Sequence, residues 1–246
     1  MTNYLGKRCS SAMLRVHCAS VYLLMGLSSA RRLLSGVKLM PVLHNLEPKF
    51  ARVVYESFDP IRITACSVSL RNDRGFDALS ELRVVNEEAR SASDSRGGLL
   101  LGASTVCSER QVHLAKEFGA DYISTMYFSE RLVKVANTCS LPVLCGVINV
   151  IEALESIQGK VGSFKFYPSS AVTPAALSDL VLEMGPNAIG KDIIIAGGIT
   201  ETNIPAYLKA GATGFAVGVD CRKVINNPRY IRTLLSPFIQ TLDSII

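Results

Sequence analysis

The run Lys38-Leu39-Met40-Pro41-Val42-Leu43-His44 passes directly into Asn45-Leu46-Glu47. The first part has the length and apolar character of a buried strand, and the turn that follows contains no glycine. An open, doubly wound sheet usually carries a G-x-G-x-x-G turn after its first strand. That turn is missing here, so repeated strand–helix units are expected to close into a barrel instead. Outward from this point, short apolar runs alternate with longer amphipathic ones, as βαβ units require. The pattern predicts strands near 38–44, 62–69, 99–104, 121–126, 142–147, 163–167, 192–197 and 214–219. It predicts helices near 46–57, 76–92, 108–118, 129–138, 149–158, 174–184, 203–210 and 228–244. Eight strands and eight helices in strict alternation give an α/β protein of the (β/α)8 TIM-barrel type, and 246 residues suit one such domain.

Local signals agree. Ser108-Glu109-Arg110-Gln111 is a capping-box pattern, with Gln111 placed to reach back to the cap. Ser129 and Thr200 are similar candidate caps, and Gly119, Gly159 and Gly211 stand where helices should end. The run Ile193-Ile194-Ile195-Ala196 is apolar throughout, as in a parallel strand covered on both faces. Ser91 to Gly98 reads as a polar link before the third strand, not as a domain boundary. One barrel domain is expected over residues 28–246, preceded by an extension over residues 1–27.

Composition bounds the function. With 48% hydrophobic against 19% charged residues there is ample material for a core, which excludes a disordered chain. The net charge of +5 comes from the N-terminus: the first 46 residues hold Lys7, Arg8, Arg15, Arg31, Arg32 and Lys38 and no acidic residue. The rest is close to neutral, with no basic cluster to suggest a nucleic-acid surface. Seven scattered cysteines without a C-x-x-C pair read as reduced thiols in a cytoplasmic protein, Cys66 and Cys145 among them as small buried hydrophobes. The segment Val21 to Leu27 is too short to span a bilayer. Residues 1–27 suit an organellar transit peptide, a secretory signal ending near Ser29-Ala30, or translation set upstream of the true start.

In a barrel of this kind, chemistry gathers at the C-terminal ends of the strands. In Ser163-Phe164-Lys165-Phe166-Tyr167-Pro168, alternation sets Ser163, Lys165 and Tyr167 on one face and both phenylalanines on the other. If the phenylalanines pack against helices, Lys165 points inward. Desolvation then lowers its pKa, and a neutral amine can attack a carbonyl to form a Schiff base. The alternative is a lysine snorkelling to solvent at a strand end. In Ala196-Gly197-Gly198-Ile199-Thr200, backbone N–H groups ahead of a helix can hold an anion, with Gly218 after the eighth strand beside them; an ordinary tight turn is the alternative. On the second strand Ser67, Ser69 and Arg71 share a face. The guanidinium of Arg71 suits either a substrate carboxylate or a surface ion pair.

Together these segments resemble the 2-keto-3-deoxy-6-phosphogluconate (KDPG) and 4-hydroxy-2-oxoglutarate (KHG) aldolase family. The likeness extends from about Ser28 to Cys221 and is strongest in Gly102-Ala103-Ser104-Thr105-Val106, Pro142 to Gly146, Phe164 to Pro168 and Ala196 to Ile199. The resemblance implies a class I aldolase that is a homotrimer and needs no metal or other cofactor. It acts on a small 2-keto acid without nucleic-acid or membrane partners. Lys165 then forms the Schiff base, Arg71 and Thr105 hold the pyruvyl carboxylate and neighbouring oxygens, and backbone at Gly197, Gly198 and Gly218 binds phosphate. The products are pyruvate with glyceraldehyde 3-phosphate or with glyoxylate.

The chain departs from the family at several points. The family's general acid–base glutamate, four residues before the arginine, is Ser67 here, and serine cannot store a proton near neutral pH. The family's Ser-Pro-Gly reads Ser124-Thr125-Met126, its Thr-Gly-Gly reads Ala196-Gly197-Gly198, and its Gly-Gly-Ser reads Val217-Gly218-Val219. Tyr167, where phenylalanine is common, is expected to relay protons through a water near Ser67, unless it is a simple packing substitution. The competing expectations are a non-covalent phosphate-binding barrel, as in thiamin-phosphate synthases, and a catalytically reduced barrel kept for binding.

Overall fold

The computed structural model describes residues 34–58, 61–72, 74–91 and 98–245. The expected N-terminal extension and most of the 91–98 link lie outside these residues. Eight parallel strands close a barrel in sequence order: β1 (Leu39–His44), β2 (Ala65–Ser69), β3 (Leu100–Val106), β4 (Tyr122–Thr125), β5 (Val143–Val147), β6 (Ser163–Phe166), β7 (Asp192–Ala196) and β8 (Gly214–Asp220). Each strand is followed by a helix: α1 (Ala51–Phe58), α2 (Gly75–Ser91), α3 (Glu109–Glu117), α4 (Glu130–Thr138), α5 (Val150–Gln158), α6 (Pro174–Met184), α7 (Ile204–Lys209) and α8 (Tyr230–Ile245). Closure is made by β1 on β8, paired over six positions from Leu39↔Phe215 to His44↔Asp220. The barrel predicted from the glycine-free first turn is the barrel found.

Alternation along each strand divides the core in two. Outward side chains such as Leu43, Phe164, Phe166 and Phe215 pack under the helices. Inward Met40, Ala65, Tyr122, Leu144 and Ile194 fill the barrel axis, with Leu34 and Val37 packed against them. The Tyr122 ring occupies the space beside Gly102, and its phenol donates to the Cys66 carbonyl at 3.0 Å. A methyl group at position 102 would collide with that ring. Gly102→Ala is therefore expected to destabilise the fold by about 1–3 kcal/mol, the usual range for overpacking. Urea unfolding checks this as a lower midpoint at unchanged slope.

Helix starts fix the loops around the barrel mouth. Ser108, Ser129, Asn149 and Thr173 cap α3, α4, α5 and α6, accepting hydrogen bonds from the N–H groups of Gln111, Leu132, Glu152 and Ala176. The Gln111 side chain reaches back, but to the N–H of Cys107, one residue before the cap. Thr200 is not a cap. Helix α7 begins only at Ile204, and Asn203 instead ties down the turn, accepting from the Thr200 N–H and donating to the Gly198 carbonyl. Two strand ends also differ from expectation. β2 starts at Ala65 because Arg62 has left-handed backbone (φ 53°). β3 runs on to Val106 through a bulge at Thr105.

Cys66, Cys145 and Cys221 are buried free thiols, and burial pushes the Cys221 thiol up to about 12. This is the small-hydrophobe behaviour expected of Cys66 and Cys145. Among the described residues, no helix is long and apolar enough to cross a membrane.

Candidate active site

A cavity of about 260 Å³ opens at the C-terminal end of the barrel. Its polar lining comes from seven strands or the loops that follow them: His44, Arg71, Ser104, Thr105, Ser124, Lys165 and Tyr167, with backbone at Gly197, Gly198 and Gly218. No Asp or Glu is among the described lining residues.

Lys165 sits on β6 between Phe164 and Phe166, both wholly buried on the outer face, so its own side chain must enter the barrel. It is only 8% exposed. Its Nζ donates to Ser124 Oγ at 2.8 Å and to the Thr125 carbonyl at 2.9 Å. Burial lowers its pKa to about 8, and the Arg71 charge pushes the same way. A neutral amine has two N–H bonds and one lone pair. Both N–H bonds find acceptors on β4, which leaves the lone pair as the unengaged position. Snorkelling to bulk solvent is not what this lysine does.

Thr105 occupies the bulge with φ 68°, a left-handed backbone that β-branched residues rarely adopt. The strain turns its hydroxyl to within 3.2 Å of Ser69 Oγ, at the edge of the cavity. Next to it, Ser104 Oγ is buried without a partner. A buried hydroxyl with no partner carries a desolvation cost, which a ligand oxygen in the cavity would relieve. Arg71, just beyond β2, is exposed and makes no hydrogen bond or ion pair with another described residue, and its charge is felt at both Lys165 and His44. The surface ion pair that competed with ligand binding for Arg71 is thus absent among the described residues.

Gly197 and Gly198 both have positive φ (76° and 78°). The ring of Tyr167 lies against Gly197, where a Cβ would come within 2.7 Å of it, so glycine there lets the aromatic cover the turn. Gly218 lines the same side of the cavity.

Ser67 departs from expectation. It faces the barrel axis, but it is fully buried and does not line the cavity. Its hydroxyl lies beside the Tyr122 phenol without a hydrogen bond of ordinary geometry. A glutamate at this point could reach upward to the mouth; a serine is too short. The expected relay from Tyr167 through a water at Ser67 does not fit this position. Three polar lining side chains were not singled out from sequence: His44, Ser104 and Ser124. Strand phase carried the signal for each, since His44 follows Met40 and Val42 by twos, and Ser104 follows Gly102.

A closed barrel with its polar groups gathered at the C-terminal strand ends defines the class of (β/α)8-barrel enzymes. Residues 31–230 match the model of the KDPG and KHG aldolase family, and the chain belongs to that family. Its curated relatives are named as aldolases, that is, aldehyde-lyases. The 2-dehydro-3-deoxy-phosphogluconate aldolase of Haemophilus influenzae is 28% identical over 146 residues, 59% of this chain and 63% of that protein. A probable 2-dehydro-3-deoxy-6-phosphogalactonate aldolase of Rhizobium meliloti is 24% identical over 180 residues, covering 73% and 79%. The chain thus spans somewhat under two thirds of the first relative's length. Among solved structures, a native KDPGal structure superposes with a TM-score of 0.71 at 19% identity, covering 84% of this chain and 94% of the other. At that identity the likeness concerns the fold.

Proposed function

We propose that this protein is a Schiff-base (class I) aldolase that cleaves a 2-keto-3-deoxy sugar acid phosphate, or 4-hydroxy-2-oxoglutarate, to pyruvate and an aldehyde. The observation that carries this is the Lys165 amine, enclosed, with lowered pKa and an unengaged lone pair in a cavity rimmed by hydroxyls and a cation. Lys165 attacks the keto carbon. Arg71, Thr105 and Ser104 receive the carboxylate, the first by charge and the hydroxyls by hydrogen bonds. Gly197, Gly198 and Gly218 offer backbone to the distal end of the substrate, and Tyr167 covers it. Loss of the family's threonine and serine around these glycines favours weaker holding of a phosphate. The family likeness supports a homotrimer, and the free thiols suit a reducing compartment such as the cytoplasm.

Incubation with pyruvate and borohydride tests the reading. One reduced adduct is expected, and it should map to Lys165. Because only the neutral amine attacks, the initial rate of adduct formation should rise about tenfold per pH unit below pH 8 and level off above it. A rate that goes on rising about tenfold per pH unit from pH 8 to 10 would overturn the assignment of a lowered pKa.

One observation favours a second reading, a barrel that binds 2-keto acids without turning them over: among the described residues, no carboxylate lines the cavity. Adduct formation without cleavage of any 2-keto-3-deoxy or 4-hydroxy-2-keto acid would select it.

A further inference from the structure

The structure supplies a different proton carrier from the one the sequence suggested. We propose that His44, at the end of β1, takes over the acid–base work left vacant by Ser67; this rests on the imine chemistry of Lys165 proposed above.

Four observations carry it. His44 and Lys165 line one cavity, from β1 and β6 respectively. The imidazole lies over Gly218 of β8, where a Cβ would sit 3.3 Å from Nε2, so glycine at residue 218 lets the ring lie close against the strand. Neither ring nitrogen of His44 is hydrogen bonded to another described residue, which leaves one to donate and one to accept. Finally, with no Asp or Glu among the described lining residues, His44 is the one of them whose ordinary titration lies near neutrality.

The surroundings keep the ring neutral enough to act as a base. Half-burial lowers its pKa, and Arg71 beyond β2 adds to this. Asp220 on β8, the strand neighbour of His44, opposes them. Asp220 is itself occupied by Arg222 and Asn45, which hold its carboxyl well below the usual range. Lys165 and Tyr167 are the remaining titratable groups among the described lining residues.

The step balances as follows. With the substrate joined to Lys165 as an iminium, a ring nitrogen of His44 accepts the proton of the C4 hydroxyl. The C3–C4 bonding pair moves toward the imine, giving an enamine, and the C4–O unit leaves as an aldehyde. The imidazolium then returns its proton to C3 of the enamine, restoring an iminium that water hydrolyses to pyruvate and free Lys165. One proton is taken and one given back, so the ring ends as it began.

Pyruvate alone isolates this proton transfer. On the Lys165 iminium, His44 removes a methyl proton, and in D2O deuterium returns in its place. Methyl exchange is followed by proton NMR, and adduct formation by borohydride trapping. His44→Asn is expected to retain the adduct while slowing exchange by about 100-fold or more, within the usual range for a general base. The fall of the wild-type exchange rate toward acid pH, as the ring protonates, should vanish with it. If exchange in His44→Asn matches wild type, the proposal is overturned while the imine reading stands. Should wild type form no adduct, both fall. Should His44→Asn itself fail to trap pyruvate, His44→Ala with added imidazole decides: recovery of exchange supports the role, and no recovery overturns it.

Discussion

Lys165→Met is expected to abolish the pyruvate adduct and to lower any aldol cleavage by roughly 10⁴-fold or more, since it removes the group that bonds to the substrate. The same variant should leave a thermodynamic mark. The folded pKa of Lys165 is about 8, against 10.5 for an ordinary lysine. Between those values the unfolded chain binds a proton that the folded chain does not, so stability rises with pH across that window. Below pH 8 the buried charge is a standing penalty on the order of 3 kcal/mol, partly offset in the variant by the loss of the Ser124 and Thr125 hydrogen bonds. Denaturant unfolding from pH 7 to 10.5 should show the rise in the wild type, and Lys165→Met should lack it. An equal rise in both would mean that the amine is solvated. Function and stability pull in opposite directions at this residue.

Gly146→Ala is expected to do as much damage from the neighbouring strand. Gly146 pairs with Lys165 in register, and its N–H donates to Thr125 Oγ1 at 3.0 Å. A Cβ there would lie 2.5 Å from the Met126 carbonyl oxygen and 2.7 Å from that of Thr125. These are backbone atoms that cannot swing aside, and the Thr125 oxygen is the one that accepts from Lys165. The substitution should cost about 4 kcal/mol or more, at the diagnostic end of single mutations. Any folded fraction should trap pyruvate poorly, because the end of β4 that aims the amine has been displaced. Calorimetry and borohydride trapping on the soluble fraction check both parts. A variant as stable and as readily trapped as wild type would show that β4 and β5 can separate there without loss.

Strand phase was legible in the sequence, and depth was not. Phe164 and Phe166 announced that Lys165 faces inward, and it does. The same two-residue rhythm correctly turned Ser67 inward, yet an inward residue can belong either to the packed axis or to the open mouth. Which one applies depends on barrel stagger and on what the next strands insert. Here Tyr122 fills the axis beside Gly102 and leaves Ser67 sealed below the cavity. His44 was passed over because it marks the end of a strand, where it reads as the start of a turn; its imidazole acquires meaning only once β8 is known to present Gly218 beneath it. No pattern foretells Thr105, since threonine with a left-handed backbone runs against its own preference and is held there by the bulge between β3 and β4. Eight alternating units can be read from one chain, but the contacts between strands distant in sequence cannot.

The packing of Tyr122 with Met40, Leu144 and Ile194, and of Leu34 and Val37 against them, has a kinetic meaning. It makes the barrel a cup rather than a tube, so whatever arrives must depart by the same route. In the proposed reaction the keto end goes in first and becomes tethered at Lys165, and the outer fragment sits above it. The aldehyde must therefore leave before pyruvate can be hydrolysed free and follow. Such a sequence shows itself in product inhibition: pyruvate, the last to leave, should compete with substrate for the empty enzyme, whereas the aldehyde should not.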